Sequence, residues 1–101
     1  MMKLPRDDAM SPDAHPRLAP RARLRPDRQT GRMLLLYPEA GLALNATAAA
    51  TLELCDGARS VREIAHALAE RFGRETDAVE AEIGFFLDTL ASRGLVIAGA
   101  S

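Results

Sequence analysis

Tryptophan is absent, cysteine occurs once as Cys55, and only Tyr37, Phe72, Phe85 and Phe86 are aromatic. A single cysteine excludes an internal disulfide, which fits a reducing cytoplasm as the expected location. No apolar run approaches the roughly 20 residues of a membrane-spanning helix. The opening Met-Met-Lys-Leu-Pro-Arg-Asp-Asp has no apolar signal-peptide core behind its lysine, so no membrane association is expected. The two histidines, His15 and His66, stand far apart, with no Cys-x-x-Cys, His-x-x-x-His or carboxylate cluster to make a metal site. Gly41, Gly57, Gly73, Gly84 and Gly94 punctuate single turns or helices instead of forming a phosphate-cradling loop. Cys55 sits on the apolar side of a predicted helix with no base nearby in sequence, which reads as a buried structural thiol. The acids of the later helices spread over exposed faces and are better explained by solvation than by paired acid/base work. Neither catalysis nor a cofactor is expected.

What is present is enough for one domain with a modest core: 101 residues, 48% hydrophobic and 27% charged. The net charge of −1 hides an asymmetry. Residues 1–32 carry eight basic side chains against four aspartates, whereas residues 33–101 carry five arginines against ten acids.

Residues 1–16 contain Pro5, Pro12 and Pro16, adjacent charges and little periodicity, and are expected to form a disordered extension. Residues 21–25 alternate polar and apolar as a half-buried strand does, and the turn chemistry of residues 26–31 follows. Residues 33–37 read as a second, more buried strand; a turn over residues 38–41 then leads to a short third strand, residues 42–44. Strands joined by short turns pair with their neighbours, which leaves the third at the edge.

Three helices follow. Asn45 or Thr47 can cap the first, which reaches about Leu54, with Ala48, Leu52 and Cys55 toward the core. Ser60-Val61-Arg62-Glu63 is a capping box for the second, whose Val61, Ile64, Ala65, Leu68 and Phe72 keep helical spacing until Gly73. Thr76 is the expected cap of the third, which runs to about Arg93. Leu95, Val96 and Ile97 suit a last turn or short strand over the core, and residues 98–101 are expected to fray.

On the third helix Val79, Ile83, Phe86, Leu87 and Leu90 form one stripe, while Phe85 lies off it beside Ala78, Glu82 and Thr89. A large aromatic there needs a second surface. Either it packs under the sheet or the N-terminal segment, or it floors a groove between this helix and the edge strand.

A small sheet with three helices suggests a winged-helix-like α+β fold, and that shape raises nucleic-acid binding as an alternative to a general protein-interaction domain. A recognition helix needs Arg or Lys toward phosphate and base edges. Residues 76–93 carry Asp77, Glu80, Glu82 and Asp88 against Arg93 alone. The basic N-terminal part lacks interleaved aromatics. DNA binding is the poorer reading.

Residues 16–97 carry Pro-x-Leu at 16–18, then "LLLYPE", "LALN", "LCDGARSVREIAHALAERF" and "FFLDTLASRGLV". This ordered set resembles the family of pyrroloquinoline quinone (PQQ) biosynthesis protein D, PqqD. The resemblance implies a peptide-binding domain over residues 17–97, a RiPP recognition element with a small three-stranded antiparallel sheet followed by three helices. Such proteins bind a ribosomally made precursor peptide (PqqA type) and present it to a radical SAM maturase (PqqE type), which carries iron–sulfur clusters and links a glutamate to a tyrosine of the peptide. The family's peptide site lies between the third strand and the third helix. Here that implies Gly41, Leu42, Ala43 and Leu44 facing Val79, Glu82, Ile83, Phe85, Phe86 and Thr89.

An edge strand exposes unpaired N–H and C=O groups, and proteins usually blunt it with lysine, proline or a bulge. Leu42-Ala43-Leu44 has none of these, as a strand meant to receive another chain would not. A three-residue edge could also need no protection, or residues 95–97 could cover it. The same bare edge makes hairpin exchange a route from a monomer to a weak dimer.

Overall fold

The computed structural model describes residues 9–99. Its main sheet is a meander of β2 (Arg23–Pro26), β3 (Met33–Tyr37) and β4 (Ala40–Leu44), antiparallel in that spatial order. Three helices follow, α1 (Ala46–Glu53), α2 (Val61–Phe72) and α3 (Thr76–Ser92). This is the α+β arrangement expected from the sequence.

The register explains how the sheet divides the side chains. Leu24, Leu35 and Leu42 lie opposite one another, and Leu35 and Leu44 are buried. Because successive side chains alternate between faces, these leucines form the inner face. The connection between β3 and β4 is tighter than the sequence suggests. Pro38 and Glu39 alone make the turn, so Ala40 and Gly41 belong to the strand and Tyr37 pairs with Ala40. Glu39 is held at this tip by Arg21, whose Nη2 donates to both carboxylate oxygens at 2.6 and 2.7 Å. That contact keeps the Glu39 carboxyl below its ordinary range.

β2 starts at Arg23, not Arg21, because the Ala22 amide donates to the Ala19 carbonyl and closes a turn there. A second, two-stranded sheet was not anticipated. It pairs β1 (Arg17–Leu18) with β5 (Val96–Ile97). Residues 95–97 are thus drawn to the N-terminal segment and do not cover β4.

Residues 9–16 correct the expectation of disorder; residues 1–8 of that extension lie outside the described residues. Met10 and Ala14 are buried. The Met10 amide donates to the Gly84 carbonyl, Val61 N–H to Ala14, and Arg62 N–H to Pro12. Arg62 also pairs with Asp13 at 2.6 Å. Small and apolar residues at spaced positions, rather than a continuous period, anchor this strap across α2 and α3. The strap passes close over Gly84, where a Cβ would lie 3.4 Å from the Met10 carbonyl oxygen, in ordinary van der Waals contact. His15 belongs to the strap and is half-buried, whereas His66 is exposed. Among the described residues no group of three or more His, Cys, Asp or Glu comes together, and no helix is long and apolar enough to cross a membrane.

The helix starts follow their caps. Asn45 Oδ1 accepts from the Ala48 amide at 2.8 Å. Ser60 and Glu63 close the capping box in both directions. Thr76 is not the cap of α3 but its first helical residue; Glu75 takes the cap position without a side-chain bond. The core lies between the sheet and the packed pair α2 and α3, with Ile64, Leu68, Val79, Ile83, Leu87 and Leu90 at its centre. Cys55 is buried against it, its thiol donating to the Thr51 carbonyl, and burial pushes its pKa up to about 12.

Candidate functional site

Strand β4 is one edge of the sheet, with β2 the other, and its geometry fixes which groups are unpaired. In a two-residue hairpin the closing pair, here Tyr37 and Ala40, exchanges hydrogen bonds, and such pairs alternate along the ladder. Leu42 and Leu44 therefore bond to β3, while the N–H and C=O of Gly41 and Ala43 point outward. Neither of those amides donates to a group elsewhere among the described residues.

Beside this edge runs a groove of about 440 Å³. Leu42, Ala43 and Leu44 form one wall, and Glu82, Ile83, Phe85, Phe86 and Thr89 of α3 form the other. Asn45, Thr47, Ala48 and Thr51 supply its end. Eight of the ten residues singled out in the sequence thus line one cleft. Gly41 and Val79 do not. Gly41 continues the edge beyond the groove, and Val79 is fully buried on the stripe that faces the core.

The four α1-side residues were not among those the sequence pointed to. The signal was present: β4 ends at Leu44 and α1 begins at Ala46 with only the Asn45 cap between, so the first turns of α1 must adjoin the strand. Their side chains are small, which leaves the cleft open.

Phe85 is 58% exposed, the one large hydrophobic residue so exposed among the described residues. It occupies this position because helical spacing turns it away from Ile83 and Leu87, which are buried. The open alternative for Phe85 is thereby decided: it stands at the groove and is not covered by the sheet or strap. Phe86 departs from expectation in the other direction. It packs against the core but is only half-buried, because the same helical turn brings it to the groove.

Of the polar side chains that line the groove, all but Thr47 already have a hydrogen-bond partner. Thr51 Oγ1 donates to the Thr47 carbonyl at 2.7 Å, and Thr89 Oγ1 to the Phe85 carbonyl at 2.9 Å. Arg74 Nη2 donates to Glu82 Oε1 at 2.7 Å across the rim. No basic side chain lines the cleft. What it offers another molecule is apolar area beside main-chain donors and acceptors.

A three-stranded sheet followed by three helices, with an open edge against the longest helix, defines a small α+β domain. The same fold is found in the solved PqqD truncation of Methylobacterium extorquens PqqCD, described as a functional, stand-alone RiPP recognition element. It matches with a TM-score of 0.78 and 33% identity, covering 91% of this chain and 98% of that one. The family model for Coenzyme PQQ synthesis protein D (PqqD) matches residues 32–96. The chain belongs to the PqqD family. A Rhodopseudomonas palustris relative named PqqA binding protein is 36% identical over 92 residues, 91% of this chain and 90% of that protein. A Methylococcus capsulatus protein of the same name is 31% identical over 88 residues, 87% and 92% of the two chains.

Proposed function

We propose that this chain binds the PqqA-type precursor peptide as an added strand on β4 and presents it to the PqqE-type radical SAM maturase of PQQ biosynthesis. The observation that carries this reading is the outward-facing main chain of Gly41 and Ala43 beside an apolar cleft. Main-chain hydrogen bonds set the register of an added strand, and side-chain pockets supply its selectivity. The names of the relatives supply the peptide's identity.

The added strand would seat alternate side chains in the groove, against Ile83, Phe85, Phe86 and Thr89, with Glu82 at the rim. Val79 supports this surface from beneath and touches no ligand. The protein acts as a non-catalytic chaperone in the cytoplasm, without cofactor or metal. As a free protein it is a monomer, or a weak dimer formed through the same edge. The nucleic-acid alternative is disfavoured at this site by the absence of any basic side chain in the groove and by Asp77, Glu80, Glu82 and Asp88 on α3.

Titration calorimetry with synthetic precursor peptide tests the proposal. Saturable one-to-one binding is expected. No binding of the peptide in the absence of maturase would instead favour a scaffold that docks on the maturase and ignores the peptide.

A further inference from the structure

The outer face of the sheet has a composition that neither the core nor the groove explains. Arg23, Leu36 and Gly41 lie opposite one another across the three strands, and so do Arg25, Leu34 and Ala43. Side-chain alternation places all six on one face, opposite to the buried leucines. Leu34 and Leu36 are absent from the residues packed on the core, and remain half-buried only through their strand neighbours. Gly41 keeps this face low: a Cβ there would lie 3.0 Å from Leu36 Cδ2. Arg23 and Arg25 are exposed, and neither meets a carboxylate within ion-pair distance among the described residues, so their charges are free to meet a partner.

We infer that this face docks a folded partner bearing an apolar patch rimmed by carboxylates, and that the partner is the maturase that receives the peptide. The identification of the partner rests on the proposed function. Two arguments commit it. The two arginines, on one face of one strand with Cα atoms about 7 Å apart, select acidic side chains and guide encounter. Gly41 and Ala43 belong both to this face and to the peptide edge, so a protein seated here also meets the outward-turned side chains of an added strand. The groove side remains closed off by α3. A partner on the outer face therefore gains access to the peptide without displacing it. The two central leucines favour a protein surface over a nucleic acid, which would meet two cations and no stacking aromatic.

The test is the double variant Arg23→Glu/Arg25→Glu, with Leu34→Ser as an independent second variant, titrated separately with the cluster-loaded maturase and with synthetic precursor peptide. Charge reversal should weaken maturase binding by about tenfold or more and remove most of its salt dependence, with peptide affinity held within about twofold. Leu34→Ser should weaken maturase binding as well. Unchanged maturase affinity in the charge-reversed variant would overturn the inference, and so would a parallel loss of peptide affinity. Loss of binding to a short DNA duplex with maturase binding intact would assign the arginines to nucleic acid and overturn it too. If the wild-type protein binds maturase in this charge-dependent way but never binds peptide, the peptide reading fails and the docking face stands.

Discussion

Truncation of Phe85 separates binding from folding. At 58% exposure it presents about 115 Å² of a side chain worth roughly 200 Å². If a peptide covers half to nearly all of that area, at about 25 cal/mol per Å², Phe85→Ala forfeits about 1.5–3 kcal/mol of affinity. That is about 10- to 150-fold in Kd. The stability cost is smaller. The roughly 40% of the residue that is covered is worth at most about 2 kcal/mol, part of which a compact unfolded chain already buries, and alanine recovers about 0.5 kcal/mol of helix propensity. A net loss of about 1 kcal/mol, near 5 °C in Tm for a domain of this size, is expected. Phe86→Ala is the control. Half-buried on the core, it should cost about 2–4 kcal/mol and lower Tm by more than about 10 °C. Calorimetric titration of precursor peptide, with thermal melts of the same samples, reads both quantities. A Phe85→Ala protein that binds normally but melts as low as Phe86→Ala would refute the reasoning, because Phe85 would then be a core residue.

Ala43→Pro removes an outward amide while sparing the ladder to β3, so it should reduce peptide affinity by about tenfold or more, measured in the same titration. Cys55 titrates near 12 when folded, above its unfolded value, so its stabilising contribution is complete below about pH 9 and is lost as pH rises toward 12. Denaturant melts should lose about 1 kcal/mol between pH 9 and 10, and Cys55→Ala should flatten that slope. Ser60→Ala opens the α2 capping box and should lower stability by about 1 kcal/mol in chemical melts, without changing peptide affinity. Any dimer formed through the β4 edge should dissociate as peptide is added, which light scattering can follow. An unchanged dimer fraction would place the dimer contact elsewhere.

The legibility of this chain follows the range of its interactions. Asn45, the capping box of Ser60 and Glu63, and the stripe of α2 act within a few residues, so the spacing in the sequence carries them. That Phe85 lies off the core stripe was legible for the same reason, from its angle on the helix; whether another segment covered it was not. Thr76 failed as a cap because the extended residue at the helix entrance is Glu75, one position earlier, against the local preference for Thr at that position. The strap over residues 9–16 was opaque. Its prolines and charges read as disorder, and its order comes from partners such as Gly84 and Arg62, far along the chain. The same holds for β1, whose two residues have no strand signal until β5 arrives beside them. Most of the groove emerged because the strand and α3 each left something bare, an edge without lysine or proline and an aromatic without cover. The α1 side left no such signal beyond its closeness in sequence.

The central claim is strand addition at β4, and amide exchange measured by NMR on the free and peptide-bound protein tests it directly. Gly41 and Ala43 amides should exchange fast in the free protein and become protected on binding, while Leu42 and Leu44, already bonded to β3, change little. Protection that leaves Gly41 and Ala43 untouched and appears at another surface would contradict it.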